Sequence, residues 1–478
     1  MCPIVTSSHA RTSRVVPLVI VAVLVGAGLY AGIGQTRQYL ADRAFRPIVV
    51  PAATAPAADA SAALAGATAA PVTASAGTVA PSPSAAGIAA ALANKLDVPG
   101  LGPSVAAQVY DAGTGTALLS RGAATSVAPA STSKLFTAAA LLRVRRASDR
   151  FTTTVVQGSS PGTVVLVGAG DPTLSAAASG QPTEYAEAAR ISDLAGQVKK
   201  ALAGTAVTDV EVDGSLFTGP STATGWATDD APSSYASPIT AAMVDAGRDT
   251  PNASSRSGTP DLAAGQALAE ALAGARVGRG VAPAGAKVLG TVRSAPVGRL
   301  VEQMLSDSDN VIAEVLARQV ALAAKSPASF TGAATAVAGT LAGIGVTIGA
   351  GMKDGSGLSV LDRVPAGALS QVLLKSVDSH RPELHPIVAA LSVAGWDGTL
   401  VEQGRFTGPA AAADGLVRAK TGSLTGVSAI AGLLVDADGR QLVFAFVADQ
   451  VPGGDLNSPA ARDAFDQAVA ALVGCGCR

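Results

Sequence analysis

The chain is poor in the residues that carry most metal and thiol chemistry: its 478 positions hold three cysteines and three histidines. Cys2, Cys475 and Cys477 sit at the two ends, so no disulfide can cross the middle of the chain. With His9, His380 and His385 as the whole histidine supply, a Cys/His metal site has no framework, and no metal or other cofactor is expected. Charge is also scarce, at 14% of residues, against about 25% in an ordinary soluble domain. The 34 basic and 35 acidic residues leave a net charge of −1, with no basic stripe that would suit nucleic acid. Arg143, Arg145 and Arg146 form the one short basic cluster and read as the solvated end of a helix. Aromatics make up 3%, so the 48% hydrophobic share is mostly Ala, Val and Leu. A mean hydropathy of +0.38 would suit a many-spanning membrane protein. Only Val15–Gly34, however, is long and unbroken enough to cross a bilayer. Whole-chain disorder is excluded by the same hydrophobicity. The length points to two or three folded units at about 150 residues each.

His9, Arg11 and Arg14 precede Val15–Gly34, and Arg37, Arg43 and Arg46 follow it. The apolar run is longer than a usual signal-peptide core and ends without a clean small-x-small cleavage site. It reads as a signal anchor with a cytoplasmic tail over residues 1–46, and as a signal peptide of a secreted form if it is cleaved. Residues 47–85 are mostly Ala, Pro, Ser, Thr and Val with one charge, Asp59. They read as a disordered spacer that holds a folded body off the membrane. At the other end, Cys475-Gly476-Cys477 can close a local bond or pair between chains, and reads most simply as a frayed tail.

From Ala86 the pattern becomes periodic. Ala86–Leu96 reads as a helix, and Ser104–Tyr110 with Thr116–Ser120 as a hairpin. Leu135–Leu142 is an apolar helical run. Phe151–Val156, Thr163–Val167 and Val207–Val212 read as strands around a helix over Glu184–Leu202. Residues 218–258 are rich in Gly, Pro, Ser and Thr and read as loop. Helical patterns return at Asp261–Leu272, Val297–Leu305 and Val311–Ala324. Val427–Val435 and Gln441–Ala448 flank Asp438-Gly439, a strong hairpin signal, and Pro459–Val473 closes the chain as an amphipathic helix. This order implies one α/β unit whose sheet takes strands from both ends of the chain.

Three short motifs could carry chemistry. In Ser131-x-x-Lys134, positions i and i+3 share one helix face. The hydroxyl is a poor nucleophile until a base takes its proton, and a buried lysine can be that base. Ser308-Asp309-Asn310 falls between two helical patterns. It offers a proton-relaying hydroxyl and a carboxamide for a substrate amide, or simply a helix cap. Lys420-Thr421-Gly422 opens a strand-rich segment. Its Lys and Thr suit a carboxylate, and its Gly permits close approach of substrate to the backbone. Each motif alone is commonplace. A His-based triad fails on supply, because His380 and His385 share a polar loop. Asp171 and Asp354 lie in glycine-rich turns and read as turn formers.

Taken together and in order, S-x-x-K, S-D-N and K-T-G mark the penicillin-binding proteins and serine β-lactamases. The chain resembles the D-alanyl-D-alanine carboxypeptidase/endopeptidase group, the low-molecular-mass class C penicillin-binding proteins, over residues 86–472. Gly170-Asp171-Pro172-Thr173-Leu174, Asp213-Gly214-Ser215-Leu216-Phe217, Gly225-Trp226, Asp354-Gly355-Ser356-Gly357-Leu358-Ser359, Ala394-Gly395-Trp396-Asp397-Gly398 and Ala419–Leu424 also match that pattern. The resemblance implies an α/β transpeptidase-like fold, an antiparallel sheet flanked by helices, with a smaller β-rich inserted domain. The catalytic domain is expected over 86–147 and 259–474 and the insert over 148–258. Residues 246–260 are too few and too polar to hold the further small domain that larger relatives nest there.

The resemblance implies the roles as well. Ser131 attacks a D-Ala–X carbonyl, Lys134 is the base, and Ser308 relays the proton to the leaving amine. Asn310 binds the peptide amide, Lys420 supplies positive charge, and Thr421 helps bind the terminal carboxylate beside Gly422. Backbone N–H groups of Ser131 and Ser423 would hold the oxyanion. Peptidoglycan stem peptides and β-lactam antibiotics are the implied ligands. Two alternatives remain at this point: a catalytically weak β-lactam- or peptidoglycan-binding module, and a β-lactamase. The long Ser131–Ser308 gap argues against the second.

Overall fold

The computed structural model describes residues 80–478 apart from Asp455 and Asn457. The expected anchor at Val15–Gly34 and the spacer up to residue 79 lie outside the described residues. Among the described residues no helix is long and apolar enough to cross a membrane.

Helix α1 (Ala85–Leu92) starts at Ser84, whose hydroxyl accepts the Gly87 N–H at 3.0 Å. Strand β1 (Val105–Asp111) turns back into β2 (Ala117–Arg121). Asp111 fixes that turn by accepting the N–H groups of Gly113 and Thr114. After β3 (Ser126–Val127) a tight 3-10 turn, Ala130–Ser133, runs into α2 (Lys134–Val144). Residues 134–142 of α2 are all buried. A helix covered on every side is the core of its unit, and α2 is the central helix here.

The inserted unit contains β4 (Thr152–Gln157), β5 (Thr163–Val167), α3 (Ile191–Leu202), β6 (Asp209–Asp213), α4 (Pro260–Ala271), β7 (Arg276–Arg279) and β8 (Val288–Arg293). Its sheet runs β7-β6-β5-β4-β8, with β5, β6 and β7 parallel. Parallel neighbours need a crossover, which α3 and α4 supply. Leu194, Val198 and Leu268 of these helices pack with Val155, Val164, Leu166 and Val210 of the strands. Two expectations change. The helix begins at Ile191 rather than Glu184, because residues 184–190 turn to bury Tyr185, with Glu187 at φ +60°. The unit ends near residue 293 rather than 258, because α4, β7 and β8 complete its sheet.

The chain then returns through α5 (Val297–Ser306), α6 (Asn310–Ala323), α7 (Phe330–Ala342), β9 (Val364–Pro365, paired with β3), α8 (Gly367–Val377) and α9 (Pro386–Ala390). It ends with β10 (Ser392–Val393), α10 (Gly398–Glu402), β11 (Val417–Leu424), β12 (Val427–Val435), β13 (Gln441–Ala448) and α11 (Pro459–Val473). The main sheet is antiparallel, in the order β10-β11-β12-β13-β1-β2. It therefore joins strands from both ends of the chain. Side chains alternate across a strand, and β13 shows both faces buried. Leu442, Phe444 and Phe446 meet α1 and α11 through Ile88, Phe465 and Leu472. Val443, Ala445 and Val447 face the core of α2, α6 and α8.

The C-terminal residues are not a frayed tail. Cys475 and Cys477 form a disulfide, Cys477 is buried, and its carbonyl accepts the Ser84 N–H at 2.6 Å. Arg478 pairs with Asp438 at the β12–β13 turn. Helix α11 is pinned by a buried ion pair: Arg405 Nη2 lies 2.6 Å from Asp466 Oδ1, and Asp466 also accepts the Phe406 N–H at 2.9 Å. Removing one member of such a pair leaves the other charged and dry. Asp466→Ala should lower the unfolding free energy by about 3–5 kcal/mol, read as an earlier urea transition. An unchanged midpoint would show that the pair does not hold α11.

Candidate active site

Ser131 lies in the 3-10 turn before α2, and Lys134 is the first residue of that helix. The chain can place the turn here because Gly357 packs against it. A Cβ on Gly357 would sit 1.9 Å from the Ala130 carbonyl oxygen. Lys134 is fully buried. Its Nζ lies 2.9 Å from Ser131 Oγ, 2.6 Å from Asn310 Oδ1 and 2.9 Å from the Ser356 carbonyl oxygen. The orientation of the Asn310 amide is set by its Nδ2, which donates to the Tyr235 carbonyl at 3.1 Å. Two of the three partners of Nζ can only accept. A neutral amine has two N–H bonds and one lone pair. With the N–H bonds spent on Asn310 and Ser356, the lone pair is left for the one partner that can donate, the Ser131 hydroxyl. Burial pushes the Lys134 amine down to about 8, against the pull of the Asp354, Glu314 and Asp309 charges. It is therefore neutral in a usable fraction near neutral pH, as a general base must be.

Ser308-Asp309-Asn310 joins α5 to α6. Asp309 caps α6 by accepting the Ile312 N–H at 3.0 Å. Its other oxygen accepts from Arg256 Nη2 and from the Tyr185 hydroxyl, both at 2.9 Å. Burial alone would raise this carboxyl, but Arg256, the capped amide and Arg248 hold it down at about 2. Ser308 sits at φ +57°, which costs a residue with a side chain about 1–3 kcal/mol. The clamp on Asp309 offsets that strain. The motif thus serves as a helix cap and as part of the site at once.

Lys420-Thr421-Gly422-Ser423 lies on β11. Among the described residues β10 pairs with Ala419 and Arg418 only, so the strand edge from Lys420 onward faces the cleft. Gly422 is needed for close approach: a Cβ there would lie 2.9 Å from the Pro129 carbonyl oxygen and 3.1 Å from the Ser131 and Thr132 nitrogens. Lys420 is buried, with Nζ donating to the Thr421 carbonyl at 3.0 Å. Burial and the Lys134 charge hold it well below the ordinary lysine value, with Asp307 opposing them. Ser131, Ser308, Asn310, Thr421 and Ser423 line one open cleft of about 400 Å³, with Tyr235, Asp230 and Leu456 on its walls. All eight residues singled out in the sequence therefore meet in one place. His380 and His385 lie elsewhere, exposed around Asp378.

Sequence reasoning missed the supports. Asp354 closes its turn as expected, accepting the Gly357 and Ser359 N–H groups, and it also takes the Trp226 indole N–H at 2.8 Å. Tyr185, Arg248 and Arg256 converge on Asp309 from loops with no local signature. Glu314 could have been found, since it stands one helical turn after Asn310.

A buried lysine held against a serine hydroxyl, beside an open strand edge, defines a Ser–Lys acyl-transfer enzyme. The chain belongs to the D-Ala-D-Ala carboxypeptidase 3 (S13) family, whose pattern matches residues 88–258 and 248–472. It is 44% identical over 411 residues to a carboxypeptidase of Mycobacterium tuberculosis, covering 83% of this chain and 86% of that one. Carboxypeptidase DacB of Mycolicibacterium smegmatis is 40% identical over 478 residues, covering 98% of both chains. The fold is shared with penicillin-binding protein 4 of Haemophilus influenzae, at a TM-score of 0.65 and 23% identity over 80% of this chain and 97% of that one.

Two outcomes follow from the geometry. Gly422→Ala should slow acylation of Ser131 by a β-lactam at least about tenfold, through displacement of the reacting groups. An unchanged rate would mean that the strand does not press on the turn. In the wild type, protonated Lys134 cannot accept a proton. The acylation rate should therefore fall about tenfold per pH unit below a midpoint near 8. A flat profile between pH 5 and 8 would remove Lys134 as the base.

Proposed function

We propose that this D-Ala-D-Ala carboxypeptidase works by acyl transfer through Ser131. Lys134 takes the Ser131 proton as Oγ attacks the carbonyl of the penultimate D-Ala. The oxyanion is held by the backbone N–H groups of Ser131 and Ser423, a device that contributes several kcal/mol in such reactions. Ser308 passes a proton to the leaving amine, and the terminal D-Ala departs. Asn310 holds Lys134 through Oδ1 and leaves the cleft-facing part of its amide for the substrate peptide. Thr421 meets the terminal carboxylate, with the Lys420 charge behind it. Water then resolves the acyl-enzyme and regenerates Ser131.

The observation that carries this reading is the triple contact of Lys134 Nζ with Ser131, Asn310 and Ser356. A β-lactam presents a similar carbonyl and should acylate Ser131 and leave slowly. The Haemophilus influenzae relative of this fold has been solved with a β-lactam bound. Fluorescent penicillin should label the wild type and not Ser131→Ala. An unlabelled wild type, or an equally labelled variant, would sink the proposal.

The same acyl-enzyme can form from a D-Ala–diaminopimelate cross-link, with a side-chain amine as leaving group, so endopeptidase activity is part of the proposal. Mass spectrometry of cross-linked and uncross-linked muropeptides separates the two activities. Cross-links that survive while pentapeptides lose D-Ala would restrict the enzyme to carboxypeptidase work. We place the body outside the cytoplasmic membrane, anchored by Val15–Gly34 and held off by the Ala/Pro/Ser spacer. Recovery of the native protein in the soluble cytosolic fraction would refute that placement.

A further inference from the structure

A carboxylate that the acyl-transfer scheme does not use lies beneath its base. Glu314, on α6, is completely buried. Its Oε1 accepts the N–H groups of Gly355 at 3.0 Å and Ser356 at 2.7 Å, and its Oε2 shares the Gly355 N–H at 3.0 Å. The carbonyl of that same Ser356 is one of the three partners of Lys134 Nζ. The loop is further held by Thr137 of α2, whose hydroxyl donates to the Gly355 carbonyl at 2.6 Å. Two helices thus grip one peptide segment, and that segment presents an acceptor to the base.

We propose that Glu314 is a positioning residue for Lys134: its carboxylate fixes the Gly355–Ser356 segment so that the Ser356 carbonyl faces Nζ, and its charge lies close enough to bias the amine toward the protonated form. The proposal rests on the reading of Lys134 as the base. Ser356 occupies one N–H of the amine, and without it the lone pair is no longer confined to the Ser131 direction. The charge of Glu314 favours the ammonium, so it opposes the burial that makes Lys134 a base. Its own carboxyl is pushed up to about 7 by burial and by the Asp354 charge, against the loop amides and Arg318, so its charge acts on Lys134 only above that pH.

The other charged groups around Glu314 are few. Asp354 and Asp362 lie on the loop, where the Asp362 carboxyl is strongly raised by burial and by Asp354. Arg318, one turn along α6, stacks 4.0 Å from the Phe330 ring centroid and has its guanidinium buried. Lys134 faces Glu314 from α2, with Lys420 beyond it on β11. Helix α7 carries no charged residue. On α5, Arg299 and Glu302 pair with each other at the surface. Asp245, in the short turn against α6, caps the Ala176 N–H.

The test is the pH profile of Ser131 acylation by fluorescent penicillin, measured on the whole chain with Glu314→Gln and Glu314→Asp. Glu314→Gln removes the charge and replaces one acceptor with a donor. Its plateau rate should fall about tenfold, while the upper part of the acid limb, above about pH 7 where Glu314 is ionised, moves to lower pH by enough to change the relative rate there about threefold. Glu314→Asp keeps the charge but draws it back by one methylene. Its plateau should fall while its acid limb stays with the wild type. A Glu314→Gln limb coincident with the wild type overturns the electrostatic half, and plateaus unchanged in both variants overturn the positioning half. If Glu314→Gln does not fold, Glu314→Asp still decides, since an unchanged plateau there refutes positioning. A wild type that is not labelled, or shows no acid limb, would instead refute the base assignment on which the proposal rests.

Discussion

A lysine amine taken out of water is the constraint around which the rest of this structure is arranged. Burying a lone ammonium costs several kcal/mol, and here burial brings the Lys134 amine down to about 8, so that part of the population is neutral near neutral pH. Among the described residues no carboxylate pairs with Nζ. Its three neighbours are a hydroxyl, an amide oxygen and a backbone carbonyl, and the acidic groups Asp309, Glu314 and Asp354 act from behind them. A direct ion pair would have made Lys134 a permanent cation and useless as a base. A fully apolar pocket would have let it swing away from Ser131. The chosen arrangement aims the lone pair and leaves the charge state adjustable.

Each partner of that amine is delivered by a different part of the chain, so the site exists only in the folded whole. The 3-10 turn before α2 brings Ser131, the cap of α6 brings Asn310, and the loop after α7 brings Ser356. The inserted unit, through its own loops, reaches into two of these three. Tyr185 and Arg256 grip Asp309, Tyr235 orients Asn310, and Trp226 holds Asp354. The insert is therefore a wall of the cleft and also a brace for the loops that carry Asn310 and Ser356. The main sheet supplies the remaining side: β11 is nearly an edge strand beyond its two-residue pairing with β10, and its glycine lets it close against the turn that carries Ser131.

The parts of this arrangement with local signatures were legible in the sequence. The β12–β13 hairpin lies where Asp438-Gly439 and two apolar runs place it, and the three motifs meet as their order implies. Helix α7 was not legible, because Phe330–Ala342 is built largely of Ala, Gly and Thr, and its buried stripe of Phe330, Ala334, Val337 and Leu341 has little polar contrast to set it off. Residues 184–190 carry a helical composition that loses to the burial of Tyr185 against Asp309, a contact 124 positions away in sequence. The insert boundary was misplaced for a related reason. Strands β7 and β8 are short and half-exposed, and only their pairing with distant strands identifies them. Arg256 escaped notice because a buried charge announces itself through its partners, which the sequence does not reveal, whereas Glu314 was readable from its place one helical turn after Asn310.

The chemistry of this site depends on a Lys134 amine that burial brings down to about 8. The most direct measurement is a carbon-13 NMR titration of protein labelled at the lysine ε-carbon, with the Lys134 resonance identified by its loss in Lys134→Met. The account predicts a titration midpoint of about 8 for that resonance. A midpoint at the ordinary lysine value of about 10.4 would contradict it, since an amine so firmly protonated could not take the proton from Ser131.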